Sequence, residues 1–376
     1  MERTMRDLRA HSPARGSPVE RSMSVLRAVR LCLLYMAVIW CSAIWAADES
    51  TPVLLTKDRY KTFYKITESP LMALTKREAW RTAAPAVRTV EIESSADGSM
   101  QPALFYDSET PHHKPLLLVL HSWSADYLQH FSIPYGVWAV ENDWVFIHPD
   151  YRGPYTNPNA TASELAVRDV LDAVEYARAH ARVDDSRIYI TGFSGGGMMT
   201  LVMVGRYPRI WAGAAAWVPV YDLVDWYRQT KGAPHDYSDY IERSCGGPPL
   251  PGTPAEDECR KRSPVKYLRR ARRKRVQVYI ATGIRDNFVP PSHTLHAFND
   301  LARRRDRIGD NAIEYISENH ALPDGLGGEH TDSLYADAGV ALLFERTSRN
   351  AVIKLFEGRH DVIYNAGLVW LSRQRR

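Results

Sequence analysis

The sequence predicts an α/β fold with a mostly parallel central β-sheet and helices on both faces. Two continuous apolar runs, at 115–120 and 144–148, are typical of parallel strands that are buried on both sides. Later apolar runs alternate with segments of helical periodicity, which favours a parallel sheet with its active site at the carboxyl ends of the strands. The third observation is a strand, a glycine-rich turn and a helix in direct succession between 187 and 204. With 376 residues, 45% of them hydrophobic and 24% charged, the chain has the composition of a globular protein.

The first elements of the catalytic domain are predicted from apolar and polar residues that alternate along the chain and from one segment with helical periodicity. Apolar and polar residues alternate within segments 89–93 and 102–106. These segments flank Asp97-Gly98, which is a sequence signal for a β-hairpin. The two central apolar runs follow. The motif Thr161-Ala-Ser-Glu164 has the spacing of a capping box, and apolar residues then recur at helical intervals over 167–177. We therefore expect a helix from this box to Ala177.

The remaining elements continue the alternation. Short apolar runs predict strands, and longer amphipathic or apolar stretches predict helices. The predicted strands lie at 187–191, 214–218, 276–281 and 351–356, and the predicted helices at 198–204, 293–305 and 362–376.

Residues 220–270 interrupt this alternation and are predicted to form a lid-like insertion over the active site. Their aromatic side chains either line a substrate pocket or attach the insertion to the body of the domain. The insertion also holds Cys245 and Cys259, an even pair in a chain that we expect to be exported. We interpret the two cysteines as a disulfide bond, with two free buried thiols as the alternative.

The first 47 residues are predicted to be a leader with a signal peptide. Two arginines precede an uncharged apolar run, 31–46, that ends in small residues, so cleavage and a secreted or periplasmic protein are expected. An uncleaved segment would instead make the membrane a partner. The leader carries seven of the 48 basic and three of the 44 acidic residues, so the remainder has no net charge and nucleic acid is not an expected partner. Residues 48–87 are interpreted as an N-terminal extension and 88–376 as the catalytic domain.

The Gly-x-Ser-x-Gly pattern centred on Ser194 predicts a nucleophile elbow. A serine on a sharp, strained turn needs neighbours without side chains, and Gly192 and Gly196 let the strand and the helix approach each other closely. Such a serine lies at a helix N-terminus, where the N–H of Gly195 can face an oxyanion as charge develops. The alternative is a glycine-rich turn in an ordinary αβ unit.

A serine nucleophile needs a general base and an acid that orients the base. His360 follows the last predicted strand and Asp286 follows the strand at 276–281, so both lie beyond carboxyl ends of strands. These positions predict His360 as the base and Asp286 as the acid. Four other aspartates remain alternatives for the acid: Asp222, Asp225, Asp324 and Asp332. His121 and His148 precede the serine and are interpreted as residues that structure loops.

The second oxyanion donor is expected from the loop after the strand at 115–120. The backbone N–H of Trp123 is the first candidate, that of Ser122 the second, and the hydroxyl of Tyr151 is a weaker one. No Cys/His cluster has the spacing of metal ligands, so we expect no metal, and no organic cofactor is implied.

Over residues 88–376 the chain resembles the α/β-hydrolases, and within them the catalytic domain of the prolyl oligopeptidase family and related secreted esterases. The resemblance is carried by 168–174, 186–197, 262–265, Asp286 with Val289-Pro290, and 358–360. In that family the serine, aspartate and histidine at these motif positions form a triad, which implies Ser194, Asp286 and His360. The usual His-Gly after the third strand is His121-Ser122 here. Residues 48–87 are too few for the propeller of prolyl oligopeptidases, which favours an esterase.

The expected function is that of a secreted serine hydrolase that works through an acyl-enzyme intermediate. Hydrolysis of carboxylic esters, including polysaccharide esters, is the first expectation, and cleavage of short peptides is the second. The expected partner is accordingly an ester or peptide substrate, small or oligomeric. A non-catalytic binding module with the same fold is the alternative from another class.

Overall fold

The computed structural model describes residues 51–56, 69–274, 276–328 and 330–376. The chain divides into two compact units, Met1–Thr51 and Pro52–Arg376, and the fold is that of the second unit. The predicted leader and its signal peptide lie outside the described residues, as do residues 48–50 and 57–68 of the predicted N-terminal extension.

A single nine-stranded sheet organises the described residues. Its strands are β1 (Arg88–Glu93), β2 (Met100–Tyr106), β3 (Lys114–Leu120), β4 (Val145–Pro149), β5 (Val183–Phe193), β6 (Gly213–Trp217), β7 (Gln277–Gly283), β8 (Leu342–Ser348) and β9 (Ala351–Phe356). The order across the sheet is β1-β2-β4-β3-β5-β6-β7-β9-β8. From β4 to β9 neighbouring strands are parallel, whereas β1, β2 and β8 are antiparallel to their neighbours. The predicted fold class is confirmed.

Helices connect and cover the strands. They are α1 (Lys76–Ala83), α2 (Ile133–Glu141), α3 (Glu164–His180), α4 (Gly195–Arg206), α5 (Leu223–Thr230), α6 (Ser238–Cys245), α7 (Pro254–Lys261), α8 (Arg269–Lys274), α9 (Pro291–Leu301), α10 (Asp310–Asn319), α11 (Ser333–Asp337) and α12 (Tyr364–Ser372).

The sheet is covered by apolar side chains on both faces, which is why β3 reads as an unbroken apolar run. Leu116 and Leu118 point into one core cluster, with buried residues of α3, α4 and α9, while Leu117 and Val119 point into the other, with residues of α2 and α12. All seven residues of β3 are buried. Because successive side chains of a strand alternate between faces, burial on both faces favours apolar residues along the strand, and the charged residue at its start, Lys114, pairs with Asp107.

Two of the predicted helices have other boundaries in the structure. The cap of α3 is Ser163, whose Oγ accepts from the N–H of Ala166 at 3.1 Å, because the hydroxyl of Thr161 is bonded to Ser244 at 2.8 Å. The predicted helix at 293–305 begins at Pro291 and ends at Leu301. Beyond it, the N–H of Arg303 donates to the Oγ of Ser348, which draws the chain towards β8.

The insertion between β6 and β7 contains α5, α6, α7 and α8. The structure contains the predicted bond between Cys245, at the end of α6, and Cys259 in α7. Both cysteines are buried in the same core cluster as Leu223 and Trp226 of α5. The insertion is therefore joined to the central domain by a continuous apolar core and is cross-linked within itself.

Candidate active site

Ser194 lies on the turn between β5 and α4, at the carboxyl edge of the parallel strands. Its φ of 57° and ψ of −116° are strained for a residue with a side chain. The turn is held by its own backbone, since the N–H of Ser194 donates to the carbonyl of Trp217 in β6 at 2.9 Å. Ser194 thus precedes the first residue of a helix, which directs the free N–H groups of that helix towards the same edge.

Glycines are required around the serine because backbone meets backbone there. A Cβ on Gly192 would overlap the backbone of Gly196, and one on Gly196 would overlap the carbonyl oxygens of Leu120 and His121. A Cβ on Gly195 would lie 2.7 Å from the backbone nitrogen of Trp123. The start of α4 therefore lies directly against the loop that follows β3.

Asp286 and His360 are brought together from two loops that are 74 residues apart in sequence. The Nδ1 of His360 lies 2.7 Å from the Oδ2 of Asp286, whose side chain is fully buried. The other carboxylate oxygen accepts from the N–H groups of Phe288 and Val289 at 2.9 and 3.0 Å. The imidazole ring lies 4.8 Å from the ring of Phe193, the residue before Ser194.

The alternative acids have other positions. Asp222 caps α5 and pairs with Arg260 at 3.3 Å, and its burial, with Asp225 beside it, raises the pKa of its carboxyl. Asp225 pairs with Arg228, Asp324 lies exposed in a turn, and Asp332 caps α11. Within the described ranges, Asp286 is the aspartate on the ring of His360.

The first two candidate backbone donors in the loop after β3 differ in their hydrogen bonds. The N–H of Ser122 donates to the side chain of Gln129 at 3.0 Å, so this donor is already engaged. Trp123 follows, and its carbonyl accepts from the N–H of Tyr155 at 2.7 Å. Among the described residues, none accepts a hydrogen bond from the N–H of Trp123, so this donor is available to a ligand.

Two fully buried tyrosines donate hydrogen bonds to the backbone of this loop and of the elbow. The hydroxyl of Tyr151 donates to the carbonyl of His121 at 2.7 Å, and that of Tyr155 donates to the carbonyl of Gly195 at 3.2 Å. Burial raises the pKa of both phenols, so both remain neutral donors. Tyr151 is thus committed to the backbone and does not face an oxyanion. The pattern of tyrosines alone did not indicate these supporting bonds, which depend on tertiary contacts.

The two predicted loop histidines are both buried. The Nε2 of His121 lies 2.7 Å from the carbonyl of Asp150, and His148 in β4 bonds to the carbonyl of Val119 at 2.8 Å. Burial lowers the pKa of His148 to about 3, which keeps this ring neutral. Both side chains connect neighbouring strands and loops, and neither contacts Ser194.

Aromatic side chains surround the candidate site. The ring of Phe288 lies 5.2 Å from that of His360, and His235 stacks on Phe288 at 3.9 Å. On the other side, Trp226 lies 4.7 Å from Trp123. Sequence reasoning left open whether the aromatic residues of the insertion line a pocket or attach the insertion. Trp226, only 1% exposed, does the latter.

Neither a metal cluster nor a membrane-spanning helix occurs among the described residues. No group of three or more His, Cys, Asp and Glu side chains in these ranges is arranged to hold a metal ion. Over the same ranges, no helix combines the length and the apolar character that crossing a bilayer requires.

The fold and the site together define a class. A mostly parallel sheet carries a serine on a strand–turn–helix elbow, with a histidine paired to a buried aspartate at the same edge, and this is the organisation of an α/β-hydrolase. A model of the prolyl oligopeptidase family matches residues 137–336, just over half of the chain. The chain belongs to the prolyl oligopeptidase family, as the resemblance implied. The matched residues include Ser194 and Asp286 and end before His360.

Curated relatives include an acylamino-acid-releasing enzyme and an esterase. The chain is 26% identical over 167 residues to the acylamino-acid-releasing enzyme of Rattus norvegicus, covering 42% of this chain and 21% of that enzyme. It is 25% identical over 131 residues to feruloyl esterase B of Thermothelomyces thermophilus, covering 32% and 44%. The chain thus spans less than half the length of either relative. At the level of the family, the predicted class of serine hydrolase is confirmed.

Solved structures with a similar fold include the acylaminoacyl peptidase of Pyrococcus horikoshii. That match has a TM-score of 0.46 at 17% identity and covers 57% of this chain and 34% of the solved chain.

Proposed function

We propose that this chain is an exported serine hydrolase that cleaves carboxylic esters through an acyl-enzyme. The observation that carries the proposal is the 2.7 Å bond between the imidazole of His360 and the buried carboxylate of Asp286, beside the elbow of Ser194. A carboxylate on Nδ1 holds the proton there and leaves Nε2 to accept a proton from a nucleophile.

The reaction follows from these positions. Ser194 attacks the carbonyl carbon of the ester while His360 takes the hydroxyl proton, and Asp286 stabilises the imidazolium that forms. The N–H groups of Gly195 and Trp123 donate to the oxyanion. His360 then protonates the departing alcohol, and a water molecule, activated by the same ring, releases the acid and regenerates the serine.

An ester is favoured over a peptide by the surroundings of the histidine. Two aromatic side chains, Phe193 and Phe288, flank the imidazole of His360. Such a lining suits an uncharged substrate, whereas a charged peptide terminus would lose its hydration there without a paired charge. Cleavage of short peptides is the second candidate, favoured by the similarity to the rat acylamino-acid-releasing enzyme.

The test compares an activated acetyl ester with aminoacyl and prolyl anilides, using the purified protein and two serine variants. Ser194→Ala removes the nucleophile, and Ser124→Ala is the matched control, since Ser124 is an exposed serine in the loop next to Trp123. We expect ester turnover that Ser194→Ala abolishes and Ser124→Ala preserves. Efficient anilide cleavage would establish the peptidase instead. If neither substrate is turned over and no reagent for active-site serines labels Ser194, the chain is a binding module.

Export is the part of the proposal that depends on the N-terminal residues. An apolar segment at 31–46 behind two arginines and a disulfide between Cys245 and Cys259 both support a location outside the reducing cytoplasm. Cell fractionation and N-terminal sequencing test it. A new N-terminus near residue 47 in the soluble exported fraction supports cleavage, whereas an intact leader in the membrane fraction supports an anchor.

A further inference from the structure

Trp226 is the residue of the insertion that contacts both halves of the candidate site. It lies in α5 and is 1% exposed. Its indole N–H donates to the carbonyl of Phe288 at 2.9 Å, in the loop that carries Asp286. Its ring meets that of Trp123 edge to face at 4.7 Å, in the loop that follows β3. One side chain therefore joins the acid loop to the oxyanion loop.

The bond to Phe288 acts directly on the geometry of the acid. The peptide N–H of Phe288 donates to the Oδ1 of Asp286, while its carbonyl accepts from Trp226. The other carboxylate oxygen, Oδ2, is the one on His360. Because a carboxylate is rigid and planar, a shift of the Phe288 backbone rotates the oxygen that orients the imidazole.

The start of α5 is fixed firmly enough to act as a reference point. The Oγ of Ser263 accepts from the N–H of Leu223 at 2.9 Å, and the Nδ1 of His293 accepts from the N–H of Tyr221 at 3.0 Å. Burial lowers the pKa of His293 to about 3, so its ring stays a neutral acceptor. These bonds are buried, which makes them costly to break. Trp226 thus projects from a helix whose start is held in place by buried hydrogen bonds.

We infer that Trp226 is a positioning residue, whose indole N–H holds the loop of Asp286 in register with the oxyanion donor; this inference rests on the proposed function. The alternative role for a buried tryptophan is apolar packing alone. The two roles differ in one respect: packing needs the ring, whereas positioning needs the N–H.

Unnatural amino acids separate the ring from the N–H. Replacing Trp226 by 3-benzothienylalanine keeps the bicyclic ring and removes the donor, and replacing it by 5-fluorotryptophan keeps both. Trp211 is the matched control, since its indole N–H is also buried and donates to a backbone carbonyl, that of Met203, at 3.3 Å. The readouts are kcat and KM for the activated ester and the melting temperature.

We expect benzothienylalanine at 226 to lower kcat about tenfold with KM within about twofold, because misplacement of an orienting group affects the transition state more than binding. 5-Fluorotryptophan restores kcat, and benzothienylalanine at 211 leaves it unchanged. If the 226 variant fails to fold, 1-naphthylalanine, which also has a bicyclic ring without a donor, is judged by the same criterion. An unchanged kcat at 226, or a loss no larger than at 211, overturns the inference. Loss of activity in Ser194→Ala shows separately that the proposed function holds; persistence of ester turnover there would refute both.

Discussion

Gly195 offers the sharpest test of the oxyanion assignment. An alanine at this position would place its Cβ 2.7 Å from the nitrogen of Trp123 and 3.0 Å from its Cα. Both atoms belong to the backbone, so the contact cannot be relieved by rotating a side chain. The loop after β3 must move by about 0.7 Å to reach ordinary van der Waals distance.

The expected effect is on catalysis as well as on stability. Loss of one preorganised oxyanion donor costs about 10²-fold in kcat. Since that interaction is made only in the transition state, KM should stay within about twofold. The overlap itself destabilises the fold by about 1–3 kcal/mol.

Gly205→Ala is the matched control. Gly205 lies in the same helix, and a Cβ there would lie 2.7 Å from the carbonyl carbon of Tyr267. It is ten residues from Gly195, which places it about 15 Å along the helix from the elbow. Both variants are assayed for ester turnover well below their melting temperatures. If Gly195→Ala lowers kcat no more than Gly205→Ala does, the N–H of Trp123 does not bind the oxyanion.

Three further predictions follow from bonds in the same structure. Replacing Cys245 and Cys259 by serine should lower the melting temperature by roughly 6 °C, since opening a cross-link between residues 14 apart costs about 3 kcal/mol. Asp286→Asn should lower kcat about 10⁴-fold with little change in stability, because an amide favours the wrong tautomer of the histidine. Stability should fall as the pH falls from 6.5 towards 3, because the unfolded chain protonates His148 and His293 in this window while the folded protein, with both pKa values at about 3, does not. The loss is about 1 kcal/mol per pH unit for each ring.

Each of these has its own control. For the disulfide, the wild-type protein treated with reductant should melt at the temperature of the double-serine variant, and an equal melting temperature of oxidised and reduced protein would contradict the reasoning. For Asp286→Asn, the control is Asp225→Asn, which should leave kcat unchanged because Asp225 pairs with Arg228 on the surface. For the pH dependence, urea unfolding gives the free energy of unfolding of the wild-type protein and of His148→Phe at pH 7 and pH 5. If this free energy falls by the same amount in both proteins between the two pH values, the reasoning is refuted.

The central strands and the elbow could be predicted from sequence because their signals are local. Strands buried on both faces favour continuous apolar runs, and such runs occupy 115–120 in β3, 145–147 in β4 and 278–281 in β7. An edge strand has no such requirement. The prediction missed β8, in which buried and partly exposed residues are mixed, because it pairs with a single neighbour. It also missed α2, whose Ile-Pro-Tyr-Gly start lacks a polar face and contains two poor helix formers.

The residues of the candidate site that directly follow predicted strands could be identified from the sequence. Strand ends identified Asp286 and His360, and the structure brings these two side chains into contact, although their catalytic roles stay a prediction. The supporting residues could not be found in this way. Gln129 engages the amide of Ser122, and Trp226 holds the loop of Asp286, through bonds between a side chain and a distant backbone. Such bonds depend on how loops meet in space and leave no periodic signal in the sequence.

The strand pairing of β7 with β9 also sets the order in which the site can assemble. These strands are separated by residues 284–350, which fold into three helices and β8 before β9 can be reached along the chain. His360 follows β9, so we expect it to reach Asp286 only once this long-range pairing has formed, and contacts between residues far apart in sequence form slowly. A chain that emerges from a ribosome would carry Ser194 for many residues before His360, its proposed base, is synthesised. We therefore expect the proposed hydrolytic activity to appear during refolding together with the slowest phase.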